Sequence, residues 1–180
     1  MLMPLMLFRR GWEQIVSKSP NIRYWLGIAW IVCQAPVLWG QNLRLSSASA
    51  SRGDQITIEL SLESPAGKEP LALQWEAKVP VAISPIDEKS FTDTTTAKQA
   101  GKALHCAVNG KSADSYTARC ILAGGQKPIP NGSVGLLRLR IPMDAAVGTV
   151  RIRVENASAV SRDSKAISLA PVETLVTVRK

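Results

Sequence analysis

The sequence predicts an all-β domain: nine strands in two antiparallel sheets packed face to face, behind an N-terminal leader. Three observations carry this. From Asn42 onward, apolar residues recur at every second position, turn residues interrupt them at intervals, and no segment sustains a 3.6-residue period. No apolar helix is available to cover a sheet, so two sheets must cover each other. The stretch Ala103 to Gly124 reads as two short strands with one cysteine on each.

The leader comes first. Arg9, Arg10, Lys18 and Arg23 precede an apolar run from Tyr24 to Trp39, which ends at Gly40 and Gln41. A basic segment, an apolar segment and a small residue at the boundary describe a secretory signal peptide over residues 1–40. The run is short of the roughly 20 residues a spanning helix needs, and Gln34 and Pro36 interrupt it. Cleavage near Gly40 is therefore expected, with an uncleaved N-terminal anchor as the alternative. On either reading the body, residues 41–180, is exported to the periplasm, the cell surface or the medium, and a membrane is a partner only if the leader is retained. The body carries 18 basic and 13 acidic residues, a mild excess that demands no anionic partner.

The body then runs strand by strand. NLRLSSA is a first strand and SASRGD a turn, with Gly53 free to take a positive φ. Gln55 to Glu63 alternates, placing Ile56, Ile58, Leu60 and Leu62 on one face of a strand that is polar on the other. Leu71 to Val79 turns Leu73, Trp75, Ala77 and Val79 inward and Gln74, Glu76 and Lys78 outward. Pro80 and Pro85 bracket VAIS, which reads as an edge strand. Residues 86–102 read as the longest loop, with a helical turn at Thr95 to Ala100.

The cysteine hairpin follows, with its turn expected around Asn109 and Gly110. Pairing Cys106 with Cys120 also pairs Leu104 with Leu122 and Val108 with Ala118, all on one face, and leaves His105, Arg119 and Ile121 on the other. In an exported body whose only cysteines are these two, they read as a disulfide. Closing such a 15-residue loop contributes roughly 3 kcal/mol. A metal site from His105, Cys106 and Cys120 fails on parity and lacks a fourth ligand.

Three strands complete the body. Val134 to Ile141 carries Leu137, Leu139 and Ile141 on one face and Arg138 and Arg140 on the other; Thr149 to Glu155 sends Arg151 and Arg153 outward; a polar stretch, NASAVSRDSKAIS, leads to the terminal strand Glu173 to Val178.

Enzymatic constellations are scarce. The body has one histidine, no Gly-rich phosphate loop and no serine elbow, so neither catalysis nor a cofactor is expected. Asp87 and Glu88 are chain neighbours that point apart on an extended backbone, and read as a solvated loop rather than a catalytic pair. Arg52, Gly53 and Asp54 spell an adhesion tripeptide, which turn chemistry explains without adhesion. The body's aromatic residues are Trp75, Phe91 and Tyr116 alone. Trp75 falls on core parity, so stacking platforms for sugars or bases are not evident, and a nucleic-acid partner is not expected.

The order of features resembles bacterial cohesin modules over about residues 43–179. The first strand, the Gly-Asp turn, QITIELSL and ALQWEAKVPVAIS are similar to their opening, GSVGLLRLRIPMDAAVGTVRIRVENASA to a later Gly-led strand, turn and strand, and ETLVTV to their closing strand. The cysteine pair lies outside the usual cohesin pattern. The resemblance implies a nine-stranded jelly-roll sandwich and a non-catalytic module that binds a dockerin, the calcium-loaded partner carried by polysaccharide-degrading enzymes. Carried onto this chain by strand order, the partner-binding face comprises Gln74, Glu76, Lys78, His105, Arg119, Arg151 and Arg153, a basic sheet face. Direct polysaccharide binding by the same sandwich, and a structural role in an envelope or secretion assembly, are the alternatives.

Overall fold

The structure is a computed structural model that describes residues 40–180; the leader lies outside the described residues. Eleven strand segments follow one another: β1 (Asn42–Leu45), β2 (Ala48–Ser51), β3 (Gln55–Glu63), β4 (Ala72–Pro80), β5 (Phe91–Thr92), β6 (Ala103–Lys111), β7 (Ser115–Ala123), β8 (Gly132–Arg140), β9 (Gly148–Val160), β10 (Ala166–Ser168) and β11 (Val172–Arg179). A 3-10 turn, Glu88–Ser90, and one short helix, α1 (Thr95–Gln99), lie between β4 and β6.

Two sheets form the expected sandwich. The smaller has the order β1-β3-β8-β5, and the larger β2-β11-β9-β4-β7-β6, with β10 added beside β9. Period-two patterning explains why they pack. Ile56, Ile58, Leu60 and Leu62 of β3, with Leu137 and Leu139 of β8, are buried against Leu73, Trp75, Ala77 and Val79 of β4, Ala118, Cys120 and Leu122 of β7, and Ile152 and Val154 of β9. Trp75 lies over Gly135 of β8, where an added Cβ would stand 3.6 Å from the indole.

The strand inventory differs from expectation at five places: the loop expected over 86–102 contains the two-residue strand β5 beside β8, and four further differences each have a local reason. The first strand breaks at Ser46 and Ser47 and changes sheets: β1 pairs antiparallel with β3, whereas β2 pairs parallel with β11. The Ser46 hydroxyl accepts from the Glu59 amide, and its carbonyl accepts from the Thr174 hydroxyl, which holds the crossing. VAIS is not an edge strand. It turns, with the Ile83 amide donating to the Pro80 carbonyl, and Ile83 is driven fully into the core between two prolines that cannot extend a ladder.

The cysteine hairpin keeps its predicted register, with Leu104, Cys106 and Val108 opposite Leu122, Cys120 and Ala118. Its turn lies later, at Ser112–Asp114, because the Cys106–Cys120 pairing itself centres the loop on residue 113, and the register slips by one residue between Val108 and Gly110. Asn109 is the extra residue, and its side-chain oxygen accepts from the Arg119 amide. Finally, the stretch read as polar continues β9 to Val160 and returns as β10. Alternation across it is masked by a bulge in which Asn156 takes φ 50°.

Candidate functional site

The larger sheet exposes one face to solvent, and strand alternation decides what stands on it. Where β4, β7 and β6 lie side by side, Gln74 faces Ile121, which faces His105; one row on, Glu76 faces Arg119; beyond that, Lys78 faces Thr117. On the other flank of β4, Glu76 faces Glu155 and Lys78 faces Arg153 of β9, and Arg153 faces Glu173 of β11. Arg151 lies opposite Leu175. All seven residues assigned to the partner-binding face from the sequence, Gln74, Glu76, Lys78, His105, Arg119, Arg151 and Arg153, thus share one surface.

The rows contain like charges directly opposite each other, an arrangement that is destabilising unless each charge finds an opposite partner. Each does. Arg119 donates to Glu76 through Nε at 3.0 Å and Nη2 at 2.5 Å, and the Asn156 amide donates to the other Glu76 oxygen at 2.8 Å. Lys78 pairs with Glu155, and Glu173 sits between Arg153 at 3.2 Å and Arg151 at 3.6 Å. The Arg119 and Asn156 hydrogen bonds hold the Glu76 carboxyl below the usual carboxylate range.

Three carboxylates therefore stand among these four cations, and this patch is a lattice of paired charges rather than the basic field that the arginines alone indicate; Arg179, at the end of β11, stands apart from it without an ion pair among the described residues. Glu155, Asn156 and Glu173 were the residues that sequence reasoning missed. The terminal strand carried a signal for one of them, because Glu173 and Leu175 alternate with the buried Thr174, Val176 and Val178.

Apolar surface interrupts the lattice at Ile121, 42% exposed, and Leu175, 48% exposed. A shallow depression bounded by Arg153, Glu155, Pro171, Val172 and Glu173 lies at the β9–β11 side. Charged and punctuated by two aliphatic side chains, this surface has the make-up of a protein interface, which needs apolar contact at the centre and polar groups around it.

The other sequence candidates take structural roles. Cys106 and Cys120 form the disulfide, which removes both thiols from any metal site, and His105 points away from them. Asp87 caps the 3-10 turn, accepting from the Ser90 amide and hydroxyl, and those bonds lower its carboxyl. The Arg52-Gly53-Asp54 tripeptide closes a turn: Gly53 has φ 84°, and Asp54 accepts from the Ser51 amide. Trp75 is only 2% exposed and offers no stacking platform.

Lys102, which no sequence pattern singled out, is buried and donates to the carbonyls of Gly124 and Gly125 at the base of the hairpin. Desolvation lowers its pKa from the ordinary lysine value.

Solved structures with a similar architecture include cohesins. A non-cellulosomal cohesin from Archaeoglobus fulgidus superposes with a TM-score of 0.62 at 13% identity, covering 78% of this chain and 92% of that one. A cohesin module from a Clostridium perfringens family 33 glycoside hydrolase gives 0.60 at 12% identity, over 78% and 97%. The cohesin of a type I cohesin–dockerin complex from Clostridium thermocellum gives 0.58 at 16% identity, over 78% and 99%. No family model and no curated protein matches the sequence. Residues 40–180 have a cohesin-like fold.

Proposed function

We propose that this chain is an exported, non-catalytic binding module that captures a dockerin-type protein partner on the outer face of its larger sheet. The observation that carries the reading is the surface itself: Ile121 and Leu175 stand exposed among charges that are already paired within the sheet. Such a face can be covered without stranding an uncompensated cation, and offers the apolar contacts from which a protein interface draws its affinity. Cohesin-like structural neighbours solved in complex with dockerins support the class of partner, and the disulfide supports an oxidising compartment. Binding of neutral glycans by stacking is disfavoured by the burial of Trp75.

The test is capture by oxidised residues 41–180 from envelope and secreted fractions of the source organism, with and without a calcium chelator. Retention of a dockerin-bearing protein that is released on chelation supports the reading. Retention of none, or retention indifferent to calcium, overturns it. Ile121→Asp and Leu175→Asp locate the surface: both should weaken capture, and capture unchanged in both places the docking surface elsewhere.

A further inference from the structure

Most strand arginines on the outer faces of the sandwich are paired, and the one place among the described residues where two neighbouring ones are not is β8. On the larger sheet, Lys78, Arg119, Arg151 and Arg153 each have a carboxylate partner, and Arg179, alone at the end of β11, has none among the described residues. On the smaller sheet, Arg138 and Arg140 are exposed on the same face of β8 and, among the described residues, neither has a carboxylate within ion-pair distance. Their ladder partners on β3 are Thr57 and Gln55. Glu59, the half-buried carboxylate farther along β3, lies opposite Leu136 and, among the described residues, forms no ion pair. Arg44 of this sheet is already paired with Glu63 at 2.9 Å.

We propose that the outer face of the smaller sheet is a second binding surface, for a carboxylate-bearing polysaccharide, with Arg138 and Arg140 as its anion contacts. Two positions apart on a strand, the arginines repeat at about 6.5 to 7 Å, so an extended chain with recurring carboxylates can engage both. A guanidinium takes a carboxylate through a planar fork, and a hydroxyl and an amide stand beside the two arginines to bond sugar hydroxyls.

Charge and surface chemistry select this occupant over others. None of the large exposed apolar side chains, Ile121, Met143, Val147, Val160 and Leu175, lies on this sheet, so a protein partner would lack an anchor. Among the described residues the sheet offers no exposed aromatic face for neutral sugars or bases, because Phe91 packs against the core. Two arginines fall short of the basic clusters that hold anionic membranes.

The experiment is retardation on immobilised polygalacturonate, with dextran and poly-glutamate as comparison matrices, at low and high salt. Wild type should be retarded by polygalacturonate at low salt and more weakly by poly-glutamate, and should pass dextran freely. Arg138→Ser/Arg140→Ser should lose about tenfold in affinity, whereas Arg151→Ser/Arg153→Ser should not. Equal retardation of both double variants overturns the site. Equal affinity for poly-glutamate overturns the polysaccharide in favour of acidic protein segments, and absence of retardation overturns the surface altogether. Circular dichroism of each variant verifies its fold, and dockerin capture, on the opposite face, reads out independently.

Discussion

Arg119 of β7 grips a single oxygen of Glu76 of β4 through two nitrogens, while Asn156 of β9 holds the other oxygen, so one carboxylate ties three strands together. Sequence positions 76, 119 and 156 meet only because β4 lies between β7 and β9.

Acid should undo this tie. The Glu76 carboxyl is lower in the folded chain than in the unfolded one, so its contribution is present above the ordinary glutamate value and lost as pH falls through the folded value. Its partner Arg119 is half exposed, which limits the contribution to about 1 kcal/mol or less. Urea unfolding of wild type and Glu76→Gln should differ by that amount at pH 7 and converge in acid. A constant difference across pH would assign the effect to packing instead.

The disulfide should matter more than any surface pair. Cys106 sits on the edge strand β6, in which no residue is fully buried, and joins it to the fully buried Cys120. Replacing both cysteines with alanine should cost roughly 3 kcal/mol in urea unfolding. Mass spectrometry of the non-reduced protein should find Cys106 linked to Cys120, and two free thiols there would contradict the pairing.

Two glycines should respond oppositely to a methyl group. At Gly135 a Cβ meets Trp75 and Leu104 at ordinary contact distances of 3.6 to 3.8 Å, so Gly135→Ala should be neutral or stabilising by up to about 1 kcal/mol. At Gly124, with φ +118°, a Cβ would stand 2.9 Å from the Gly101 carbonyl, so Gly124→Ala should destabilise by about 1 to 3 kcal/mol. Thermal unfolding midpoints should move in these directions.

Lys102 predicts an alkaline signature. Burial lowers its pKa in the folded chain, so the unfolded chain holds the proton more tightly and stability rises with pH between the folded and unfolded values. Lys102→Met keeps the apolar stem but removes the donor to Gly124 and Gly125. It should cost about 1 kcal/mol at pH 7 and flatten the alkaline rise in a denaturation series.

Much of this was legible in the sequence because alternation is a local signal. Ile56 to Leu62 and Leu73 to Val79 announce their buried faces without reference to anything distant, and the hairpin register follows from where two cysteines must meet. What was not legible depends on long-range partners or on breaks in the alternation. The bulge at Asn156 shifts the phase of β9 and disguises its second half as loop. The change of sheet at Ser46 depends on Glu59 and Thr174, neither of which leaves a trace in NLRLSSA. The same holds for the candidate face. Parity placed Arg151 and Arg153 outward, but only the pairing of β9 with β11 sets Glu173 between them.

The parallel pairing of β2 with β11 bears on how the domain would carry a load. Ala48, Ser49, Ala50 and Ser51 run alongside Val176, Thr177, Val178 and Arg179 in the same direction. The chain therefore enters the fold at one end of the sandwich and leaves it at the other. Tension between residue 41 and residue 180 would pull these two strands lengthwise past each other, and their hydrogen bonds would resist together instead of opening one at a time. A module hung between a tether and its cargo through these termini would meet force in its stiffest direction.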